Sequence, residues 1–227
     1  GSEMCIRDRY TVSAELIQEA ISNIPSEEFR YSLNEPLGDF FYDNWKLKDE
    51  FVGTVWEKLY NSLPEIKGEA RLIQMSAGQC YASHADIDDR YHLNLSGNNC
   101  YLIDLDNKEF HQISADGYWY SMDAGRKHSA ANFGNRIRYQ LVIRKLLKDG
   151  NIVNPIDVQI RIRSGIDKDD ARFLFDDKVS TWLNKINKQY QMSDFKFQDG
   201  TVSFKLDQSL KQELENIIPE EFELLIK

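Results

Sequence analysis

Ser83-His84-Ala85-Asp86-Ile87-Asp88-Asp89-Arg90-Tyr91-His92-Leu93-Asn94-Leu95 carries two readings at once. Its first part holds an H-x-D pair, His84 and Asp86. Two positions apart on an extended chain, both side chains leave one face, close enough to chelate one ion. Its second part alternates with the period of a β-strand: Arg90, His92 and Asn94 on one side, Tyr91, Leu93 and Leu95 on the other. The alternation returns near residue 140, where Ile137, Tyr139, Leu141 and Ile143 oppose Arg136, Arg138, Gln140 and Arg144. A polar face of this kind is ordinarily solvated, but in a barrel whose mouth holds a polar site it turns inward, and parity alone does not choose.

Outward from this stretch, short β-type runs follow one another between turn signals: Arg71–Ser76, Tyr81–Asp86, Arg90–Ser96, Cys100–Leu105, Glu109–Ser114, Tyr118–Asp123 and Arg136–Leu146. Ala77-Gly78, Gly97-Asn98-Asn99, Asp106-Asn107-Lys108, Ala115-Asp116-Gly117 and Gly134-Asn135 supply the residues that tight turns require. Many short strands with no helices between them predict a mainly β fold of the jelly-roll or cupin-like barrel class. Two helices are expected before it. One runs over residues 13–24 behind a Ser13 N-cap and stops at Pro25; the other runs from about Leu47 to Leu63 and stops at Pro64. Between them Phe29, Tyr31, Phe40, Phe41, Tyr42 and Trp45 read as an irregular segment pinned by buried rings.

After Lys148-Asp149-Gly150-Asn151 the character changes. A strand over Ile156–Arg163, a helix from Asp169 to about Tyr190, a hairpin around Gln198-Asp199-Gly200, a helix over Ser209–Ile218 and a strand over Phe222–Ile226 make a small α+β lobe. The expected organisation is a barrel domain with its helices over residues 10–150 and this lobe over 151–227. Three roles stay open for the lobe: a separate body, a lid, or the contact of a homodimer.

A net charge of −9 argues against nucleic acid or an anionic membrane as partner, because both favour a basic surface. The three cysteines, Cys5, Cys80 and Cys100, have no metal-site spacing and cannot all pair, so a reducing, cytoplasmic setting is expected, with Cys80 and Cys100 as buried small hydrophobes. No apolar run is long enough to span a bilayer. Gly1-Ser2 ahead of Met4 reads as a cloning remnant, so the first few residues are set aside.

All four histidines, His84, His92, His111 and His128, fall in one short span. His84, Asp86 and His128 are the ligand types of a facial triad for non-haem Fe(II), which leaves three positions of an octahedral ion open. A zinc peptidase reading is weaker, because H-E-x-x-H is absent.

The pattern His84-x-Asp86, Arg90-x-His92-Leu93, Asp123, His128-Ser129-Ala130-x-Asn132-Phe133 and Arg138 resembles the aspartyl/asparaginyl β-hydroxylase-like 2-oxoglutarate oxygenases, a group that includes bacterial proline hydroxylases. The resemblance covers about 70–147 well, the preceding helices loosely and the C-terminal lobe not at all. It implies a double-stranded β-helix, Fe(II), 2-oxoglutarate and O2. It also implies iron held by His84, Asp86 and His128, and the distal carboxylate of 2-oxoglutarate held by Arg138, with Arg90 and His92 lining that pocket. A guanidinium suits the carboxylate role because its planar fork matches the anion in a bidentate way and stays charged; Arg136 shares the face of Arg138 and is its rival. The implied reaction hydroxylates a C–H bond of an amino acid or of an Asp/Asn side chain in a peptide or protein, with succinate and CO2 as co-products. The reading from another class is a cupin-like protein that binds a metal or small acid without redox chemistry. His111 is read as structural or exposed, Asp123 as a turn cap or a site residue, and Asn132 as a substrate contact or a bend. Trp119 and Tyr120 are expected to flank the mouth.

Overall fold

The computed structural model describes residues 4–227, so the Gly1-Ser2 reading lies outside the described residues. The chain forms two compact units: one holds the chain to Ser83 together with Asp89–Leu146, the other His84–Asp88 together with Leu147–Lys227.

In chain order the first unit contains β1 (Cys5–Thr11), α1 (Ala14–Ile21), β2 (Arg30–Ser32), β3 (Asn34–Pro36), β4 (Trp45–Leu47), α2 (Val55–Asn61), β5 (Ala70–Met75), β6 (Arg90–Asn94), β7 (Cys100–Asp104), β8 (Glu109–Gln112), β9 (Tyr118–Met122), β10 (His128–Asn132) and β11 (Arg138–Arg144). Antiparallel pairing orders them as a six-stranded sheet β1-β9-β6-β11-β5-β2, a three-stranded sheet β10-β7-β8 and the pair β3-β4.

The register of β11 settles the question that parity left open. Gln140 faces Asn94 and Val142 faces His92, while Leu141 faces both Leu93 and Leu72. The apolar face of the six-stranded sheet (Leu72, Leu93, Leu95, Trp119, Leu141, Ile143) shares a core with Ile17 and Ala20 of α1 and Val55, Trp56 and Leu59 of α2. The polar face is therefore the inner one. Met75 and Met122 on that face pack with Leu102 and Ala130 of the smaller sheet, so the two sheets stack with polar side chains between them. Arg138, His92, Gln140 and Asn94 are all buried there.

Five expectations change. The second helix is interrupted: a 3-10 turn at Asp49–Phe51 ends near Gly53, whose φ of +78° no helix accepts, and Thr54 caps a fresh start at α2 by accepting from the Trp56 N–H. The aromatic segment 26–46 contains three short strands rather than none. Residues 81–86 are not a strand. Trp119 is wholly buried under the helices, donating Nε1–H to Ser62 Oγ, and does not flank a mouth. Cys80 is exposed, whereas Cys100 is buried.

The second unit holds β12 (Pro155–Ile162), α3 (Lys168–Phe175), α4 (Thr181–Lys188), β13 (Met192–Gln198), β14 (Thr201–Asp207), α5 (Lys211–Ile217) and β15 (Phe222–Ile226). Its antiparallel sheet has the order β13-β14-β12-β15. A π-turn, Asp176–Ser180, joins α3 to α4 without breaking the helix. Val158, Ile160, Val202, Phe204 and Leu206 alternate with exposed or half-exposed neighbours, which is the pattern of a sheet buried on one side. No described helix is long and apolar enough to cross a membrane.

Candidate metal centre

The segment between β5 and β6 is aimed by β10. Gly78 N–H donates to Asn132 O, Asn132 N–H to Gln79 O and Tyr81 N–H to Ala130 O, with a bridge between Cys80 and Ala131. Residues 78–81 thus run antiparallel to β10, and Ser129 Oγ–H holds the Tyr81 carbonyl at 2.7 Å. That register brings the chain past residue 81 level with His128, the first residue of β10. One ligand atom from each of His84, Asp86 and His128 lies within 4.8 Å of the others, a group able to hold a metal ion.

His128 is oriented for such a role. Its Nδ1 lies 2.7 Å from the Arg126 carbonyl, an acceptor only, so Nδ1 carries the hydrogen and Nε2 keeps its lone pair. Arg126 is itself held: its guanidinium donates to Asp104 at 2.9 Å and approaches Asp123 at 3.5 Å. Asp123 pairs with Arg126. A second grouping, Asp104, Glu109 and His111, also satisfies metal-site distances. Asp104 already accepts from Asp106 N–H, Asn107 N–H, Asn107 Nδ2–H and Arg126, which leaves it no free capacity for an ion. His111 is half-buried and lies 3.6 Å from Glu109, a structural pairing.

Arg138 is 1% exposed on the inner face, and its Nε and Nη1 have no hydrogen-bond partner among the described residues. Tyr81, whose ring lies 5.8 Å from that guanidinium, has a buried hydroxyl that is equally unanswered. Burial holds Arg138 below the usual arginine value and pushes the Tyr81 phenol up. Arg136 is exposed and precedes the strand, so of the two rivals only Arg138 is inside. His92 is buried, with Nδ1 3.5 Å from Gln140 Nε2. Arg90 is buried on the same face but stands opposite Arg144, six positions from Arg138 along β11, or about 20 Å of strand.

Asn132 is a bend residue. Its Nδ2 donates to Met75 O at 3.0 Å and Arg136 O at 2.8 Å, and its Oδ1 accepts from Gly134 N–H.

Sequence reading missed two residues. Tyr81 was one aromatic among many, and only its unanswered hydroxyl beside Arg138 marks it. Asp176, at the start of the π-turn, is held above the usual carboxylate range, by burial first; Asp86 adds to the shift, while Ser180, Arg172 and His84 oppose it. Nothing local in Asp176-Asp177-Lys178 distinguishes it from a solvated helix surface.

No protein-family model matches this chain, and no curated protein matches it. Among solved structures, a prolyl-4-hydroxylase from Pseudomonas putida is similar with a TM-score of 0.38 at 12% sequence identity, over 65% of this chain and 95% of that one.

Proposed function

We propose that this protein is an Fe(II)- and 2-oxoglutarate-dependent dioxygenase built on a double-stranded β-helix. It hydroxylates a C–H bond of an amino acid or of an Asp/Asn side chain, with succinate and CO2 as co-products. One observation carries the reading: the inner face of the six-stranded sheet holds a buried guanidinium with two unanswered donors, in a chain that also has a three-ligand metal group. A buried cation without acceptors is costly, and a carboxylate is the complement of that fork.

The residues fit both groups. His84, Asp86 and His128 are the donor types for Fe(II), and the His128 tautomer leaves Nε2 for the ion. Arg138 and Tyr81 offer donors to the far carboxylate of 2-oxoglutarate. Bound together, the iron and 2-oxoglutarate activate O2 and supply the oxidant. The chain's own share is placement: the Arg126 carbonyl fixes the His128 ring, Arg138 and Tyr81 fix the diacid, and Met75, Met122, Leu102 and Ala130 keep water from the interior.

The test is succinate formation from 2-oxoglutarate under air with added Fe(II), in wild type and Asp86→Ala. Turnover abolished by the substitution is expected. If the wild type forms no succinate with any substrate and does not bind 2-oxoglutarate, the proposal fails. Metal retained by Asp86→Ala without turnover in either protein would favour the non-catalytic metal-binding reading.

A further inference from the structure

Each sheet ends in two edge strands whose outer backbone groups call for a partner or for a device that discourages one. Most edges here have such a device. β2, β3 and β4 are three residues long and β8 is four. β10 is covered by residues 78–81, and the pairing of β1 slips between Arg7 and Thr11. β13 is bulged between Ser193 and Lys196, with Asp194 at a φ of +52°. β15, Phe222-Glu223-Leu224-Leu225-Ile226, has none of these. Its register against β12 is unbroken, it contains no proline, and its one charge, Glu223, is tied to Arg161 at 2.6 Å.

The register fixes which backbone groups of β15 are spare. Asp157 and Lys227 exchange both N–H···O bonds, and Arg163 N–H donates to Glu221 O, so Glu223 and Leu225 also turn their N–H and C=O groups toward β12. Phe222, Leu224 and Ile226 turn theirs the other way. Phe222 N–H is used within the chain, donating to Pro219 O at 3.0 Å. The N–H groups of Leu224 and Ile226, and the carbonyls of all three, have no partner among the described residues. The side chains of these three residues share a face with Val158 and Ile160, which are buried in the core of this unit.

This set of groups complements itself. In an antiparallel pair about a two-fold axis at Leu224, each Leu224 N–H meets the Leu224 carbonyl of the second copy, and each Ile226 N–H meets its Phe222 carbonyl. Every spare N–H is then satisfied. The one group left over, the Ile226 carbonyl, is the one facing the N–H that Pro219 already occupies. On the core face Leu224 stands beside Leu224 and Phe222 beside Ile226; on the other face Glu223 stands beside Leu225, so no like charges are opposed.

We propose that β15 is the contact of a homodimer, pairing antiparallel with β15 of a second copy across Leu224, so that two four-stranded sheets become one sheet of eight strands. Of the three roles open to the C-terminal lobe, this selects the dimer contact. The pairing is independent of the metal centre and of the proposed function.

The experiment is sedimentation equilibrium of the full chain across the micromolar range, where an interface this small is expected to associate. The mass should rise toward twice that of one chain. Leu224→Lys and Leu224→Glu each set like charges face to face on the axis and should weaken association about tenfold or more. An equal mixture of the two should recover it, because opposite charges then meet at the axis. Ile226→Pro deletes a spare N–H and no bond to β12, and should weaken association likewise; it serves should circular dichroism show the charged variants misfolded. A wild type that stays monomeric would overturn the dimer and leave the edge to a strand of another protein. Association unchanged in the folded variants, or charged variants that stay monomeric when mixed, would overturn the pairing across Leu224.

Discussion

Arg138 keeps two N–H groups inside the sandwich without acceptors, and each such group costs about 1–3 kcal/mol of folding free energy. Arg138→Met removes the charge and the unanswered donors at similar volume. Its melting temperature without ligand is expected to equal or exceed that of wild type, while the stabilisation given by 2-oxoglutarate disappears. Scanning fluorimetry with and without 2-oxoglutarate and Mn(II) checks both halves; a lower melting temperature with the ligand effect intact would make Arg138 structural. Asp104 gives a residue prediction of the opposite kind. Burial disfavours its charge, but the Asn107 and Asp106 N–H groups and Arg126 outweigh this and hold the carboxyl below its usual range. A folded value below the unfolded one contributes stability that is complete above about pH 4 and is lost as the pH falls through the folded value. Asp104→Asn should flatten that acid limb of stability. By loosening Arg126, whose carbonyl orients His128, it should also weaken metal binding by about 10- to 100-fold, read by metal titration at neutral pH.

At the scale of elements, β10 does the most and announces itself least. His128-Ser129-Ala130-Ala131-Asn132 has no β-branched or aromatic residue, so nothing in its composition predicts a strand, yet all five positions are buried and it aims residues 78–81. Of the strands that were legible, β7, β9 and β11 carry two or three such residues each, whereas β5 and β6 carry one each, Ile73 and Tyr91. Alternation still could not tell which face turns inward, because a polar interior and a solvated surface leave the same pattern; only the core shared by Leu72, Leu93 and Leu141 with α1 and α2 decides it. The candidate ligands were legible as residue types, whereas Tyr81 emerges only from its place beside Arg138. Two substitutions test these elements. Asn132→Ala strands the buried carbonyl of Met75 and removes a partner from the Arg136 carbonyl, and should cost about 1–3 kcal/mol in denaturant unfolding. Gly97 sits at φ +109°, where a Cβ would come 2.8 Å from Cys100 Sγ and 3.2 Å from Arg138 Cβ. Gly97→Ala should therefore cost about 1–3 kcal/mol and also weaken 2-oxoglutarate binding, since the strain lands on Arg138.

For the whole molecule, a metal held only by the folded chain must stabilise it by mass action, by about 2.7 kcal/mol at a hundredfold excess over its dissociation constant. The melting temperature should climb with Mn(II) or Fe(II) concentration in wild type and stay flat in Asp86→Ala; a flat wild-type curve would remove the metal reading. The first strand has a different, practical bearing. β1 is not among the strands expected from the sequence, yet Cys5–Met122, Ile6–Ser121 and Arg7–Tyr120 are paired positions, and β1 forms one edge of the six-stranded sheet. Shortening the chain past Thr11 would replace an edge strand guarded by Arg7, Asp8 and Arg9 with β9, Tyr118-Trp119-Tyr120-Ser121-Met122, whose uncharged edge invites another chain to zip onto it. The charges of the first strand therefore act as a guard against aggregation.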